Sequence, residues 1–456
     1  MSDLDAIVIG AGQSGPPLAV RLAQAGQRVA LIEKSQLGGT CVNNGCIPTK
    51  TLVASARAAW VARNASQWGV RIEGAVSVDM RAVKARKDAI VAESRSSLQD
   101  WLGGTPGLQL VRGEARFTSP HSVQVDGREL RAARFFIDCG GRPVVPQLPG
   151  LSEVPYLTNV TMMDLEVVPE HLIIVGGSYV GLEFAQMYRR FGSQVTVLER
   201  SARLVSREDD EVCEGITELL RADGIDVRLS AQVESVHKDG ANVSVQLAGG
   251  AAIRGTHLLL AIGRVPNTDN LNLEAAGVKV DEQGYIPVDS QLRSSSAPHV
   301  WALGDVNRRG AFTHTSYNDF EIVAANLLDG EPRKVEDRIP IYAVFIDPPL
   351  GRVGASEREL RTRGRPYLRG VRPMTRVGRA RERGETRGFI KLLADPESKL
   401  FLGATIFGVE GDEAIHCIAD LMYARAPYTV LSHAVHTHPT VSELLPTVAG
   451  SLELVR

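Results

Sequence analysis

The chain has 456 residues, a formal net charge of -2 and 44% hydrophobic residues. This length is too great for one ordinary hydrophobic core, so we expect two to four domains. The near-neutral charge excludes a strong field for nucleic acid or anionic lipid, and no stretch approaches the roughly 18 apolar residues of a membrane span. The absence of such a field favours a small-molecule partner. Five unevenly spaced cysteines are not a disulfide framework, which favours a reducing, cytoplasmic location.

The first predicted elements recur later in the chain. Residues 6–33 read as strand, Gly-rich turn, helix and strand, and residues 172–199 read in the same order; both spans end with a glutamate. The first glycines, Gly10 and Gly176, precede these acids by the same distance. A glycine pattern alone is weak evidence. The strand, helix and acid around each copy nevertheless indicate two dinucleotide-binding units.

The glycines of the first copy suit a pyrophosphate. Gly10 permits the tight turn, Gly12 lets the backbone approach the phosphates, and Gly15 packs the helix on the strand. The helix N-terminus adds free N–H groups and a partial positive charge. Glu33 then lies where a carboxylate binds a ribose hydroxyl.

The second copy keeps Gly176 and Gly181 but has Ser178 at the middle position. Glu199 at its end favours a free 2′-hydroxyl and therefore NADH, because a carboxylate repels a 2′-phosphate. Arg200 and Arg203 follow at once and are candidate partners for the 2′-phosphate of NADPH. The choice between the two nucleotides stays open, with NADH favoured.

A cysteine pair lies in residues 38–50, GGTCVNNGCIPTK. On a regular helix the Cα atoms of Cys41 and Cys46 would be about 8.6 Å apart, beyond the roughly 7 Å limit for a disulfide. A bridge therefore needs a distorted turn, which Gly45 and Pro48 favour. Zinc prefers a shorter spacing and two further ligands, so we predict a redox disulfide and no metal site.

These motifs make the chain similar, over essentially its whole length, to the pyridine nucleotide-disulfide oxidoreductases, the family of glutathione reductase, dihydrolipoamide dehydrogenase and mercuric reductase. The resemblance implies an α/β fold with two Rossmann-like domains, for FAD and for NADH or NADPH, and an α+β C-terminal dimerisation domain in a homodimer. The expected limits are 1–145 and 265–335 for the FAD domain, 146–264 for the NAD(P) domain and 336–456 for the interface domain.

The resemblance also implies roles for single residues. Cys41 would attack the substrate while Cys46 faces the flavin. Lys50 would lie near the flavin with Glu183 as its partner, and Tyr179 would cover the nicotinamide pocket. The alternatives are a solvated lysine, a surface glutamate and a packing tyrosine. Further cofactor contacts are implied in the segments 38–50, 136–143 (FIDCGGRP), 261–268 (AIGRVPNT) and 300–306 (VWALGDV), at Gly39, Thr40, Gly140, Gly263, Gly304 and Asp305.

The C-terminal motif is HTHPTVSE, residues 436–443. The resemblance implies that His438 is the acid–base group, oriented by Glu443 and contributed by the other subunit. Imidazole suits this role because it titrates near neutral pH. A structural or metal-binding histidine cluster is the alternative, since His433 and His436 are close by.

The favoured function is NAD(P)H-dependent reduction of a small disulfide or thiol oxidant through FAD and the cysteine pair. Metal-ion reduction, as in mercuric or copper(II) reductases, and dihydrolipoamide dehydrogenase activity stay open. Residues 312–320, FTHTSYNDF, look more like the bacterial reactive-chlorine-resistance flavoproteins than the dehydrogenases. A non-catalytic redox sensor is the least favoured hypothesis because the cysteine, lysine, glutamate and histidine set is intact.

Overall fold

A computed structural model describes residues 4–455 as a mixed α/β protein. The strands and helices of the first part are β1 (Leu4–Ile9), α1 (Gly15–Gln24), β2 (Val29–Glu33), α2 (Gly39–Asn44), α3 (Cys46–Arg63), α4 (Met80–Gly103), β3 (Leu108–Arg112), β4 (Ala115–Ser119), β5 (Ser122–Val125), β6 (Arg128–Ile137) and β7 (Gly141–Pro143). Their main sheet has the order β3-β2-β1-β6-β5-β4. The pairs from β3 to β6 are parallel, and β1 is an apolar run because parallel strands are covered on both faces.

The second part contains another parallel sheet. Its elements are β8 (His171–Val175), α5 (Tyr179–Phe191), β9 (Gln194–Leu198), α6 (Asp210–Ala222), β10 (Asp226–Arg228), β11 (Val233–Asp239), β12 (Asn242–Leu247), β13 (Ala252–Gly255), β14 (His257–Leu260) and β15 (Arg264–Pro266). The parallel sheet has the order β10-β9-β8-β14, and β11-β12-β13 form a separate antiparallel sheet. β7 pairs with β15, so the chain leaves and re-enters the first part through two adjacent strands.

The chain then returns to the first sheet. β16 (Val300–Ala302) pairs in parallel with β6, and α7 (Thr313–Ala324) follows it. Phe136 stacks on Trp301 across this pairing, with ring centroids 5.1 Å apart. Segments far apart in sequence therefore share one core.

The last part is an antiparallel sheet with short helices. Its elements are β17 (Ile341–Val344), β18 (Leu350–Gly354), α8 (Glu357–Thr362), β19 (Tyr367–Pro373), α9 (Gly378–Glu382), β20 (Phe389–Ala394), β21 (Phe401–Phe407), α10 (Gly411–Ala414), α11 (His416–Tyr423), α12 (Tyr428–Ser432), α13 (Leu445–Ala449) and β22 (Glu453–Val455). The sheet order is β17-β18-β21-β20-β19-β22.

A buried ion-pair cluster joins this sheet to α6. Lys391 is fully buried, and its Nζ lies 2.6 Å from Asp209, 2.5 Å from Glu211 and 3.2 Å from Glu357. Within residues 4–455 these three acids are the one set with the spacing of metal ligands. The lysine ammonium already binds all three of them, so the cluster is an interdomain ion-pair network.

Candidate active site

The redox motif is broken at one glycine. α2 ends at Asn44, Gly45 has φ -131° and ψ -118°, and α3 begins at Cys46. A Cβ atom on Gly45 would lie 2.8 Å from the carbonyl oxygen of Thr40, so a side chain does not fit there. The two predicted redox cysteines therefore lie on different helices, with the distorted turn between them that a disulfide requires. Both are free thiols in this structure.

The two thiols have opposite acidities. The hydrogen bond from Cys41, helped by Thr313 and the charge of Lys50, lowers the pKa of Cys46 to about 6 against the effect of burial. The same thiol–thiol hydrogen bond, together with burial, raises the pKa of Cys41 well above its usual range. Thr313 Oγ1 lies 3.1 Å from the Cys46 sulfur. This asymmetry favours a thiolate on Cys46 and a thiol on Cys41.

A buried ion pair lies beside this thiolate. Lys50 Nζ is 2.8 Å from Oε2 of Glu183, and the Glu183 side chain is only 3% exposed. The backbone N–H of Phe345 donates to the other carboxylate oxygen at 3.0 Å, and the lysine nitrogen lies 4.5 Å from the centre of the Phe345 ring. Glu183 is thus not a surface charge, and Lys50 is held in one place by a buried partner.

Most of the predicted site residues line one cavity of about 2220 Å³. Those on its wall are Gly10, Gly12, Glu33, Gly39, Thr40, Cys41, Cys46, Lys50, Gly140, Gly176, Tyr179, Glu183, Glu199, Arg200, Gly263 and Asp305. Those that do not line it are Gly15, Gly181, Gly304, His438 and Glu443. The cavity spans both Gly-rich turns and the cysteine pair, so one continuous space connects two dinucleotide cradles with the dithiol.

The two cradles have the same backbone packing. A Cβ atom on Gly15 would lie 2.1 Å from the carbonyl oxygen of Gly10, and one on Gly181 would lie 2.2 Å from that of Gly176. Each helix thus packs directly on the turn that precedes it, so the backbone of both Gly-rich turns lies at the cavity wall. Such a cradle fits the pyrophosphate of a dinucleotide, the group that FAD and NAD(P)H share.

The terminal acids of the two cradles are also held alike. Glu33 accepts from the backbone N–H of Ala11 at 2.8 Å and of Ser35 at 2.7 Å. Glu199 accepts from Gly177 and Ser201, both at 2.7 Å. Both carboxylates are fixed at the cavity wall beside a Gly-rich turn. That is where a carboxylate binds the ribose of a dinucleotide.

Four residues around the first cradle and the redox cysteines were not predicted from the sequence. Arg264 lies 3.3 Å from Asp305. Burial raises the pKa of Asp305, and the charge of Arg264 only partly lowers it again. Asp319 accepts from the N–H of Gly304 at 2.8 Å, and the carboxyl of Asp138 is also buried in this region. Thr313 was missed as well, and it contacts the redox cysteine. An ionisable residue at the end of an apolar strand, as in FIDCGGRP, was the available signal for Asp138.

An aromatic wall continues from the predicted nicotinamide gate. The ring of Tyr179 lies 5.9 Å from that of Phe312, which is nearly parallel to the rings of Tyr342 and His314. Tyr342 donates its hydroxyl hydrogen bond to the buried Glu208. Tyr179 therefore packs against a fixed aromatic surface, and the sequence did not predict the other members.

His438 and Glu443 form a pair away from the cavity. His438 Nδ1 lies 2.7 Å from Oε2 of Glu443, and the histidine side chain is 78% exposed. His436 binds the carbonyl oxygen of Ser442 through its own Nδ1 at 2.7 Å. Within one chain the structure does not bring His438 to the wall that carries the cysteines. The Nδ1 of His438 is thus engaged by Glu443, while most of its ring is open to solvent.

One cavity therefore joins two dinucleotide cradles, the Cys41–Cys46 dithiol and the Lys50–Glu183 ion pair. This arrangement defines a nucleotide-dependent flavin and dithiol oxidoreductase. The family described as pyridine nucleotide-disulphide oxidoreductase matches residues 4–319, and its dimerisation domain matches residues 340–449. The chain belongs to this family. Its members use FAD and NAD(P)H, and the dimerisation domain supports a homodimer.

Individual relatives match along almost the whole chain. The probable pyridine nucleotide-disulfide oxidoreductase RclA of Escherichia coli is 37% identical over 98% of both chains. A mercuric reductase of Streptomyces lividans is 34% identical over 98% of this chain and 95% of its own. The solved Cu(II) complex of the HOCl-induced flavoprotein disulfide reductase RclA from Escherichia coli superimposes with a TM-score of 0.91, at 36% identity over 99% of each chain.

These similarities support a flavin-dependent disulfide oxidoreductase of the predicted fold class, α/β with a C-terminal dimerisation domain. Across residues 4–455, none of the helices combines the length and apolar character needed to cross a bilayer.

Proposed function

We propose that this enzyme passes an electron pair from NADH through FAD to a Cys41–Cys46 disulfide and then to a small disulfide or thiol oxidant. The observation that carries this proposal is the hydrogen-bond contact between the sulfurs of Cys41 and Cys46 at the cavity wall. That arrangement is the two-electron-reduced form of a disulfide, held ready beside the cavity. FAD, when bound, accepts hydride from the nicotinamide and delivers two electrons to the disulfide.

The acidities assign the two sulfurs to different steps. Reduction of the bridge by two electrons and one proton breaks the S–S bond and leaves Cys41 as the thiol and Cys46 as the thiolate. Cys46, exposed to the cavity and beside Lys50, is the sulfur that faces the flavin. Once its proton is removed, Cys41 attacks the acceptor disulfide, breaks its S–S bond and forms a mixed disulfide, and the expelled thiolate takes up that proton. Cys46 then attacks the mixed disulfide, re-forms the bridge and releases the reduced thiol.

The base for this step comes from the partner subunit in our proposal. The raised pKa of Cys41 means that the thiol needs a proton acceptor before it attacks. His438 has its Nδ1 bound to Glu443, which leaves Nε2 free to take and return that proton. The exposed position of the pair fits a group that acts across a dimer interface.

The second cradle favours NADH. Glu199 presents a fixed carboxylate to the ribose, and a carboxylate repels a 2′-phosphate. Arg203 is held by Asp210, which also binds Arg358. Of the two arginines, Arg200 is therefore the one left to bind a 2′-phosphate. Because the Glu199 carboxylate repels that phosphate, we expect NADH to be the better substrate and NADPH the poorer one.

The domain limits and location follow the same proposal. Residues 1–145 and 265–335 form the FAD domain, 146–264 the NAD(P) domain and 336–456 the interface domain. The pairing of β7 with β15 and the return of β16 to the first sheet support these limits. The small number and uneven spacing of the cysteines support the reducing environment of a cytoplasm.

Metal-ion reduction is the second candidate. The observation in its favour is the similarity to a mercuric reductase and to a Cu(II) complex of RclA. Thiolates are ligands for soft ions such as Cu(I), and the Cys46 thiolate is available at the cavity. Reduction of a metal ion needs no proton returned to a leaving thiol, so it would not depend on His438. Dihydrolipoamide remains within the disulfide class of acceptors.

A turnover assay with purified holoenzyme tests the proposal. NADH oxidation is measured with an aromatic disulfide, lipoamide and Cu(II) as separate acceptors. The proposal predicts that Cys41→Ser and Cys46→Ser retain FAD and lose disulfide turnover. Loss of disulfide but not Cu(II) turnover in His438→Ala would show that both acceptors are used. Wild-type disulfide rates no faster than those of Cys41→Ser would contradict the proposal.

A further inference from the structure

Asp138 lies between the two glycine segments of the first cradle. It directly follows β6, its side chain lines the cavity and it is only 5% exposed. Its Oδ2 accepts from the N–H of Gly15 at 2.8 Å. A Cβ atom on Gly12 would lie 2.8 Å from Oδ2, and one on Gly304 would lie 3.0 Å from Oδ1. The carboxyl group therefore fills the space that these glycines leave open.

The surroundings of this carboxyl group disfavour a negative charge. Burial is the largest cause that raises the pKa of Asp138 well above its usual range, and the carboxylates of Asp305 and Asp319 add to it. The hydrogen bonds from the backbone amides of Ser14 and Gly15 only partly oppose this effect. An isolated buried carboxylate is costly, so these surroundings favour the protonated form of the group.

The neighbouring cations are already engaged. Arg264 lies 3.3 Å from Asp305, and Arg338 binds Asp319. Neither arginine forms an ion pair with the buried carboxyl within residues 4–455. The adjacent thiol, Cys139, has its pKa raised by burial to about 12, so it carries no charge near neutral pH. The group faces two acids, each already paired, and one neutral thiol.

We propose that Asp138 is a cofactor-positioning residue that holds the diphosphate of FAD as a neutral carboxylic acid and weakens its binding on ionisation. The Gly15 amide that it touches begins α1 and directly follows the Gly-rich turn that would receive the dinucleotide phosphates. A carboxylate at this wall would repel the diphosphate, whereas a carboxylic acid adds an O–H donor and no charge. This inference rests on the FAD binding in the proposed function.

The sign of the pH effect follows from linkage. A bound diphosphate favours the protonated form, so FAD binding raises the pKa of Asp138 further. FAD affinity is then greatest at low pH. It falls by about tenfold per pH unit between the pKa of the empty cradle and that of the loaded one.

The test measures FAD retention by the holoenzyme from about pH 5.5 to about pH 9.5. Released flavin is separated by ultrafiltration and quantified by its fluorescence. Wild type should lose affinity for FAD by about tenfold per pH unit over part of this range. Asp138→Asn keeps the shape and a donor without ionising, so its affinity should change by less than about twofold. Asp100→Asn, an exposed change on α4, should behave as wild type.

Two results would overturn the inference. One is a flat profile in wild type, and the other is a slope in Asp138→Asn equal to that of wild type. If the asparagine variant does not fold, Asp138→Ala serves in its place, with weaker retention at low pH and a flat profile expected. Absence of bound FAD in wild type at every pH would instead contradict the proposed function, so the two failures are distinguishable.

Discussion

Lys50 Nζ lies 2.8 Å from Oε2 of Glu183, which is 133 residues further along the chain. The ion pair therefore ties the helix that begins with a redox cysteine to the helix that opens the second cradle. Glu183 is almost fully buried, while 33% of the Lys50 side chain is exposed. Removing the lysine leaves a buried carboxylate without its cation.

We expect a measurable coupling between these two residues. In a double-mutant cycle of Lys50→Met and Glu183→Gln, thermal unfolding of the holoenzyme should give a coupling free energy of about 2 kcal/mol. The exposed pair Lys34–Glu114, 3.0 Å apart, is the matched control and should give less than about 1 kcal/mol. Equal coupling in the two pairs would mean that burial does not strengthen the Lys50–Glu183 interaction.

The Cys46 thiolate should titrate in the accessible pH range. Its pKa is about 6, so its long-wavelength charge-transfer absorbance in the reduced enzyme should be present above about pH 6 and disappear below it. Thr313→Val removes one hydrogen bond to the thiolate and should raise the midpoint by about one pH unit. Thr313→Ser keeps the hydroxyl and should titrate like wild type. An unchanged midpoint in the valine variant would show that Thr313 does not stabilise the thiolate.

The His438 proposal makes a prediction about mixed dimers. His438→Ala should lower disulfide turnover by about 100-fold or more while flavin reduction by NADH stays near the wild-type rate. Dimers that combine one His438→Ala subunit with one Cys41→Ser subunit should regain about half of the wild-type activity. The reason is that a twofold dimer then contains one intact composite site. No recovery would place the histidine and cysteines of a site on the same chain.

Nucleotide choice should depend on Glu199. Wild type is expected to prefer NADH over NADPH in kcat/KM. Glu199→Ala removes the acceptor for the 2′-hydroxyl and the repulsion of a 2′-phosphate, so it should lower the preference by about tenfold. Glu33→Ala serves as a comparison, because the matching acid of the first cradle should alter FAD retention and not the NADH preference. A wild-type preference for NADPH would contradict the interpretation of Glu199.

The sequence predicted the local parts of the site. Spacing between Gly10 and Glu33, and between Gly176 and Glu199, was enough to predict both cradles, because turn, helix and strand are adjacent along the chain. The break at Gly45 was predictable because a disulfide cannot span a regular helix at this spacing. The fold class followed from the resemblance and is confirmed by the family match over both parts of the chain.

Contacts between segments far apart in the chain could not be predicted from the sequence. Thr313 meets Cys46 across 267 positions, and Arg264 reaches Thr40 across 224. No periodicity marks such pairs, since they depend on how two sheets pack. The buried state of Asp138 was hidden for the same reason, because an acid after a strand is equally common at a surface turn. In the sequence, nothing distinguishes Lys391 from other lysines in strands. Its role becomes clear only from the three acids that surround it in the structure.

An anaerobic titration with NADH tests the central claim, the relay through the cysteine pair, most directly. At two-electron reduction near pH 7.5, wild type should develop the long-wavelength absorbance of a thiolate beside the flavin, and Cys46→Ser should not. Cys139→Ser should behave as wild type, because desolvation raises the pKa of that half-buried thiol to about 12 and keeps it uncharged. Bleaching of the flavin in wild type without this band would contradict the relay and indicate direct electron transfer from flavin to the acceptor.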